Sequence, residues 1–230
     1  MQQRFDVTIV KVQRNTRDVA TIHFLVNGKP LVHQAGQYIT VYFDDTDVRE
    51  GKAYSLSSAP GDQTSSITVK KVGLFSGKLH QLRPGDTMSI SLPYGSFNAY
   101  KQAPIVAIAS GVGISPIWSI VRDESMRQTG RPIKLFYSNK TLEDVIFHDE
   151  IEQLVASKRV SCEHFITRNP ESPYVNRRID PVDDASQYAE DHCYYVCGTT
   201  EFVRDMWRGL VGAGVPESSI STETFFGAPA

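Results

Sequence analysis

Gly51-Lys52-Ala53-Tyr54-Ser55-Leu56-Ser57-Ser58 packs a cation, an aromatic ring and three hydroxyls into a single strand-like run. Side chains alternate faces along an extended strand, so Lys52, Tyr54, Leu56 and Ser58 share one side and Ala53, Ser55 and Ser57 the other. A ligand carrying both phosphate and flat rings, lying along such a strand, meets charge, ring and hydroxyl in turn. A half-exposed antiparallel strand with no ligand explains the octapeptide equally well, because alternation reports only a strand. The flanking sequence has to decide.

Upstream and downstream of this run, from Phe5 to about Tyr100, short β segments follow one another: FDVTIVKVQ, VATIHFLV, QYITVYF, KAYSLSS, SSITVKKV and TMSISL. Turn residues such as Asn27-Gly28, Ala59-Pro60-Gly61-Asp62 and Arg83-Pro84-Gly85-Asp86 separate them. Six strands with hardly room for a helix predict a small antiparallel barrel. The exception is Ser76 to Leu82, where Leu79 and Leu82 stand three apart and Ser76 is placed to cap a short helix. The preceding Gly73-Leu74-Phe75 would aim backbone N–H groups at that helix start, a geometry that attracts anions, although most capped helices hold none.

Beyond Lys101 strands alternate with helices, the pattern of a parallel sheet covered on both faces. The expected strands are Pro104–Ala109, Ile133–Tyr137, Ser161–Thr167, Cys193–Cys197 and Ser219–Phe226, and the expected helices are Ile117–Arg127, Leu142–Ala156 and Glu201–Val211. The fold class is therefore two-domain: a six-stranded antiparallel β-barrel over residues 1–100, then an α/β domain with a five-stranded parallel sheet over residues 101–230, the boundary falling between Asn98 and Pro104.

Gly111 and Gly113 stand where the first parallel strand turns into a helix, and glycine there lets a pyrophosphate approach the backbone. A tight turn that needs glycine only for packing is the competing reading. Pro116 suits a first helical turn. The second strand ends in Ser138-Asn139-Lys140, without the acid that grips a ribose diol. The third ends in Thr167-Arg168 with Tyr174, Arg177 and Arg178 behind, a set that suits a ribose 2′-phosphate or, equally, a solvated arginine cluster. Cys197 closes the fourth strand at the ligand-binding edge, as a neighbour to a ring or as a buried core thiol. Glu223 and the aromatics Phe225 and Phe226 close the last strand, able to stack on a flat ring or to cap the core.

Composition narrows the function. With 40% apolar residues, 22% charged residues and a formal charge of −2, the chain offers no broad basic surface for nucleic acid or acidic membrane. Charges at Asp6, Lys11 and Arg14 interrupt the N-terminal apolar run, so neither a signal peptide nor a membrane span of ~20 residues is expected, and the expected location is cytoplasmic. Cys162, Cys193 and Cys197 match neither a zinc site nor a four-cysteine iron–sulfur pattern, and the six histidines show no metal spacing, so no metal is expected. Nor do those histidines form a triad with any nucleophile motif, which leaves hydrolysis without support.

Taken in chain order, the barrel, the Tyr54-Ser55 strand, the Gly111-Val112-Gly113-Ile114-Ser115-Pro116 loop and the Cys197-Gly198 segment resemble the ferredoxin:NADP(H) reductase superfamily over nearly the whole chain. The resemblance implies FAD on the barrel. Lys52 would then face the pyrophosphate, Tyr54 the isoalloxazine and Ser55 flavin N5, while Gly73, Leu74, Phe75 and Ser76 correspond to the second flavin segment. Lys52 departs from the family's arginine, keeping the charge and losing the bidentate fork. The resemblance further assigns Gly111, Gly113 and Pro116 to the nicotinamide-dinucleotide loop, and Thr167, Arg168 and Tyr174 to a 2′-phosphate site that favours NADPH over NADH. Cys197 and Glu223 would line hydride transfer, and Phe225 would stack on the flavin. The implied activity is an NAD(P)H-dependent flavoprotein reductase passing electrons to a separate redox protein: ferredoxin, flavodoxin or an oxygenase component. A flavin reductase releasing free reduced flavin and a non-catalytic nucleotide-binding subunit are the competing expectations.

Overall fold

A computed structural model describes residues 4–97, 102–188 and 191–225. Strands β1 (Arg4–Arg14), β2 (Val19–Leu25), β3 (Tyr38–Tyr42), β4 (Lys52–Ser55), β5 (Ser65–Lys70) and β6 (Thr87–Ser91) form one antiparallel sheet in the order β4-β3-β6-β1-β2-β5. The two outer strands meet just beyond β4, through the Leu56–Ile67 bridge and a 2.8 Å bond from Ser57 N to Ser66 O, which closes the barrel and removes its edges. Val7 and Ile9 of β1 point inward and their neighbours Asp6 and Thr8 outward, until a bulge between Ile9 and Lys11 resets the register. The barrel interior is filled by aliphatic and aromatic side chains from every strand, among them Ile22, Phe24, Ile39, Val41, Leu56, Ile67 and Ile90.

Helix α1 runs over Leu74–Leu79, two residues earlier than the sequence predicts. Ser76 is accordingly its third residue and not its cap; its buried hydroxyl accepts from the backbone N–H groups of Val72 and Gly73 at 2.9 and 3.1 Å. The hydroxyls after β4 are likewise committed to the fold. Ser57 bonds Ser66 and Thr68 at 3.0 and 2.9 Å, and Ser58 Oγ accepts from Ser66 N at 3.0 Å.

The second unit has β7 (Ile105–Ser110), β8 (Ile133–Asn139), β9 (Ser161–Ile166), β10 (Cys193–Thr199) and β11 (Ile220–Phe225), all parallel, in the order β11-β10-β7-β8-β9. Its central strand β7 is buried on both faces: Ile105, Ala107 and Ala109 join one core layer, Val106 and Ile108 the other. Helices α2 (Ile114–Arg127), α3 (His148–Ala156) and α4 (Thr200–Gly212) cover the sheet. The single helix expected over Leu142–Ala156 is broken: a 3₁₀ turn spans Leu142–Asp144, and Phe147 enters α3 in the left-handed region at φ 61°, stacked on Trp118. Val145 and Ile146, between the two helical turns, are both buried. Asn98–Lys101, most of the expected boundary, lie outside the described residues.

One face of α2 joins the two units. Ser115, Ser119 and Arg122 recur at helical spacing; Ser119 Oγ donates to Ser58 O at 2.6 Å, and Arg122 grips Asp62 with two bonds of 2.5 and 2.8 Å. At the head of α2 the backbone of β10 comes so close that a Cβ on Gly113 would lie 2.6 Å from Cys197 C and 2.7 Å from Gly198 Cα. A Gly113→Ala substitution is therefore expected to destabilise the protein by about 1–3 kcal/mol, the usual cost of overpacking. Denaturant midpoints of the two proteins measure it; coincident midpoints would show that the turns separate without cost.

Candidate functional site

The barrel and the parallel sheet meet chemically at the end of β4. Ser55, buried, donates its hydroxyl proton to Glu223 Oε1 on β11, 168 residues away in sequence. Glu223 lies in register with Cys197 on the adjacent strand β10, so Ser55, Glu223 and Cys197 converge at one point. Burial pushes the Glu223 carboxyl above its ordinary range, and the Ser55 hydroxyl opposes that shift. Burial, with Glu223 beside it, also raises the Cys197 thiol well above its usual value, leaving it protonated and without nucleophilic character at neutral pH. Tyr38, opposite Ser55 on β3, faces the same carboxylate, and burial followed by Tyr94 and Glu223 raises its hydroxyl pKa. Nothing in the alternating run QYITVY singles out Tyr38; its role as a neighbour follows from cross-strand register.

Along the barrel from this point, Lys52 and Tyr54 converge on Phe75. The Tyr54 and Phe75 rings stack with centroids 6.4 Å apart at 21°, and Lys52 Nζ lies 5.6 Å from the Phe75 centroid. Phe75 belongs to the barrel core, whereas Leu74 is 96% exposed and Gly73 has open space where a Cβ would stand. An exposed cation with no ion pair among the described residues, an exposed leucine and an open glycine thus border one aromatic surface, a donor set that fits a pyrophosphate linked to a flat ring.

At the sheet edge, Gly111 and Gly113 divide the two readings of their motif. Gly113 is needed for packing, as described above, while Gly111, at φ +50°, leaves open space beyond its Cα. Tyr137 Oη donates to Gly111 O at 3.0 Å and fixes the turn from β8. Pro116 stands in the first turn of α2, buried. Thr167 and Arg168 continue β9 alongside the end of β8, with Arg168 N donating to Lys140 O at 2.8 Å, so the two exposed cations Lys140 and Arg168 sit side by side. Two other members of the expected cluster, Arg177 and Tyr174, are engaged elsewhere. Arg177 forms a bidentate pair with Asp184 at 2.5 and 2.6 Å, and the Tyr174 hydroxyl lies 2.9 Å from His148 Nε2 with its ring against His164. Phe225 is half-buried against the core layer that holds Cys197; Phe226 lies outside the described residues.

Comparison with known proteins matches each of the two units to a domain family. The model of the oxidoreductase FAD-binding domain matches residues 6–99, and that of the oxidoreductase NAD-binding domain matches residues 107–207. The flavohemoprotein of Bacillus subtilis (strain 168) is 31% identical over 232 residues, 94% of this chain and 58% of its own length. Reductase component 1 of terephthalate 1,2-dioxygenase from Comamonas sp is 24% identical over 238 residues, 99% of this chain and 70% of that protein. The flavohem-like FAD/NAD-binding domain of nitric oxide dioxygenase from Vibrio cholerae superposes with a TM-score of 0.88 at 24% identity, covering 99% of this chain and 100% of that one, a likeness of fold. The chain spans less than two thirds of the length of the flavohemoproteins it matches. Among the described residues no helix is long and apolar enough to cross a membrane.

The half-buried Glu223 makes stability depend on pH in a defined direction. Its folded pKa lies above the ordinary 4.5, so the native state binds more protons than the unfolded state once pH rises past that value, and stability falls through the interval up to the folded pKa. Glu223→Gln is expected to lose this fall. Melting temperatures of the two proteins measured from pH 4 to pH 8 should diverge in favour of the variant toward neutral pH, in a window set by those pKa values. Parallel curves would show that Glu223 titrates alike in both states.

Proposed function

We infer, from the premise that this chain belongs to the ferredoxin reductase-like oxidoreductases that join an FAD-binding to an NAD-binding domain, that it takes electrons from NAD(P)H and passes them to a separate redox centre. The observation that carries this reading is the bond from Ser55 to Glu223, which sets a barrel hydroxyl and a sheet carboxyl against each other where the two cofactor-binding surfaces meet. FAD, when bound, supplies acceptance of a hydride from NAD(P)H and its onward release as electrons. The chain supplies position and charge. Lys52 would neutralise the pyrophosphate, Tyr54 would face the isoalloxazine, and Leu74 would be covered by the bound ligand. Gly73 and Gly111 would admit phosphate groups close to the backbone. Ser55 would hold a proton at the reacting edge of the ring, with the Glu223 carboxyl beside it, and Cys197 would border the nicotinamide as a neutral, compact neighbour. Phe225 would close the flavin from the β11 side.

The acceptor class we propose is a haem or oxygenase component. Support comes from the two kinds of relative, a flavohemoprotein and a dioxygenase reductase component, each of which extends beyond the part matched here. A second reading, a reductase that releases free reduced flavin, draws on Lys52, whose point charge replaces a guanidinium fork and has no ion pair among the described residues to hold it in place. Retention of yellow colour through a desalting column separates the two.

Two substitutions test the site. Ser55→Ala is expected to lower the rate constant for flavin reduction at saturating NAD(P)H by roughly 10²-fold or more while leaving nucleotide binding unchanged, as expected for a positioned proton donor. Stopped-flow reduction at the wild-type rate would remove Ser55 from the chemistry. Arg168 and Lys140, exposed and adjacent, support NADPH as the preferred donor, with NADH as the lesser one. Since a charge-assisted bond to phosphate contributes about 1.5–3 kcal/mol, Arg168→Ala should lower the NADPH-to-NADH ratio of kcat/KM about tenfold to hundredfold. A wild type that prefers NADH, or a ratio unmoved by the substitution, contradicts the assignment.

A further inference from the structure

His148, Glu152 and His164 each offer a ligand atom, and these atoms all lie within 4.8 Å of one another. His148 and Glu152 are four residues apart on one face of α3, and His164 rises from β9 beneath them. The sequence hides this arrangement, because the third ligand comes from a strand that only folding brings under the helix. His164 is 3% exposed, and its hydrogen-bonding capacity is half used: Nε2 stands 3.3 Å from Glu152 Oε1, while Nδ1 has no partner among the described residues. Cys162 Sγ, 3.5 Å from His164 Nε2, and the Tyr174 hydroxyl, 2.9 Å from His148 Nε2, border the same point.

We propose that His148, Glu152 and His164 form a binding site for one divalent transition-metal ion of borderline softness, of the Zn²⁺ class. Two imidazoles and a carboxylate are a donor set that such ions take in tetrahedral geometry, with a fourth position left for water or a neighbouring donor. Calcium and magnesium demand more oxygen ligands than the cluster holds. His148 and Glu152 are half-exposed, which gives the ion a path in from solvent, while His164 anchors the site in the core. The site lies behind the end of β9, apart from Ser55 and Glu223, and does not depend on the proposed electron transfer.

Zn²⁺ titrated calorimetrically into the tag-free, FAD-loaded full chain is expected to bind saturably, one ion per chain, and to raise the melting temperature. His148→Ala and Glu152→Gln, both at half-exposed positions that leave the core intact, should each weaken binding by at least about tenfold, whereas His192→Ala should not. Absence of saturable binding, or affinity unchanged in both cluster variants, overturns the proposal.

Discussion

The contact between Ser55 and Glu223 is the constraint on which the rest of the arrangement depends. Most apolar residues of the barrel pack within its own core, and only Val19, Ala35 and Phe97 among its buried core residues join a core layer of the parallel-sheet unit. A carboxyl removed from water is costly unless something bonds to it, and the group that does so here is a hydroxyl from the opposite unit. Relative displacement of barrel and sheet would take that partner from the half-buried Glu223. The polar face of α2 serves the same end: Ser119 and Arg122 hold the barrel loops at Ser58 and Asp62, and so fix where β4 points relative to β11.

Close backbone approach is the second constraint, and it explains why the glycines fall where they do. The turns after β7 and β10 touch at Gly113 and Gly198, where a side chain on either would collide with the other turn or with Phe202. This brings the carboxyl ends of β7 and β10 together and leaves Gly111 facing open space, so one glycine of the pair serves packing and the other serves access. Ligand-binding geometry at this edge is therefore inherited from how tightly two crossovers can pack.

Polar residues divide in the same way. Of the three hydroxyls after Tyr54, Ser57 and Ser58 are absorbed by the barrel, and Ser55 alone faces outward to another element. Of the residues after β9, Arg177 is neutralised by Asp184, and Tyr174 turns toward His148 and His164, while Arg168 remains beside Lys140 at the edge. Buried polar groups find partners first, and those left at an opening are the ones available to a ligand.

The flavin and dinucleotide character of the two halves came from the resemblance of its ordered motifs to a known family, whereas the strand and helix content and the barrel followed by a five-stranded parallel sheet were legible in the chain's own patterns. They rest on local periods, the alternation in FDVTIVKVQ or the unbroken apolar run of Ile105–Ala109, and on glycine punctuation, all of which act between near neighbours. The start of α1 and the break before α3 were not legible, because Ser76 and Phe147 are placed by what they bond and stack against, not by propensity. Only the tertiary structure decided that Ser55 reaches Glu223, that Gly113 is a packing glycine, and that His148, Glu152 and His164 share one point. Each of these joins residues distant in sequence, and such meetings are set by the packing of whole elements, which no local pattern encodes.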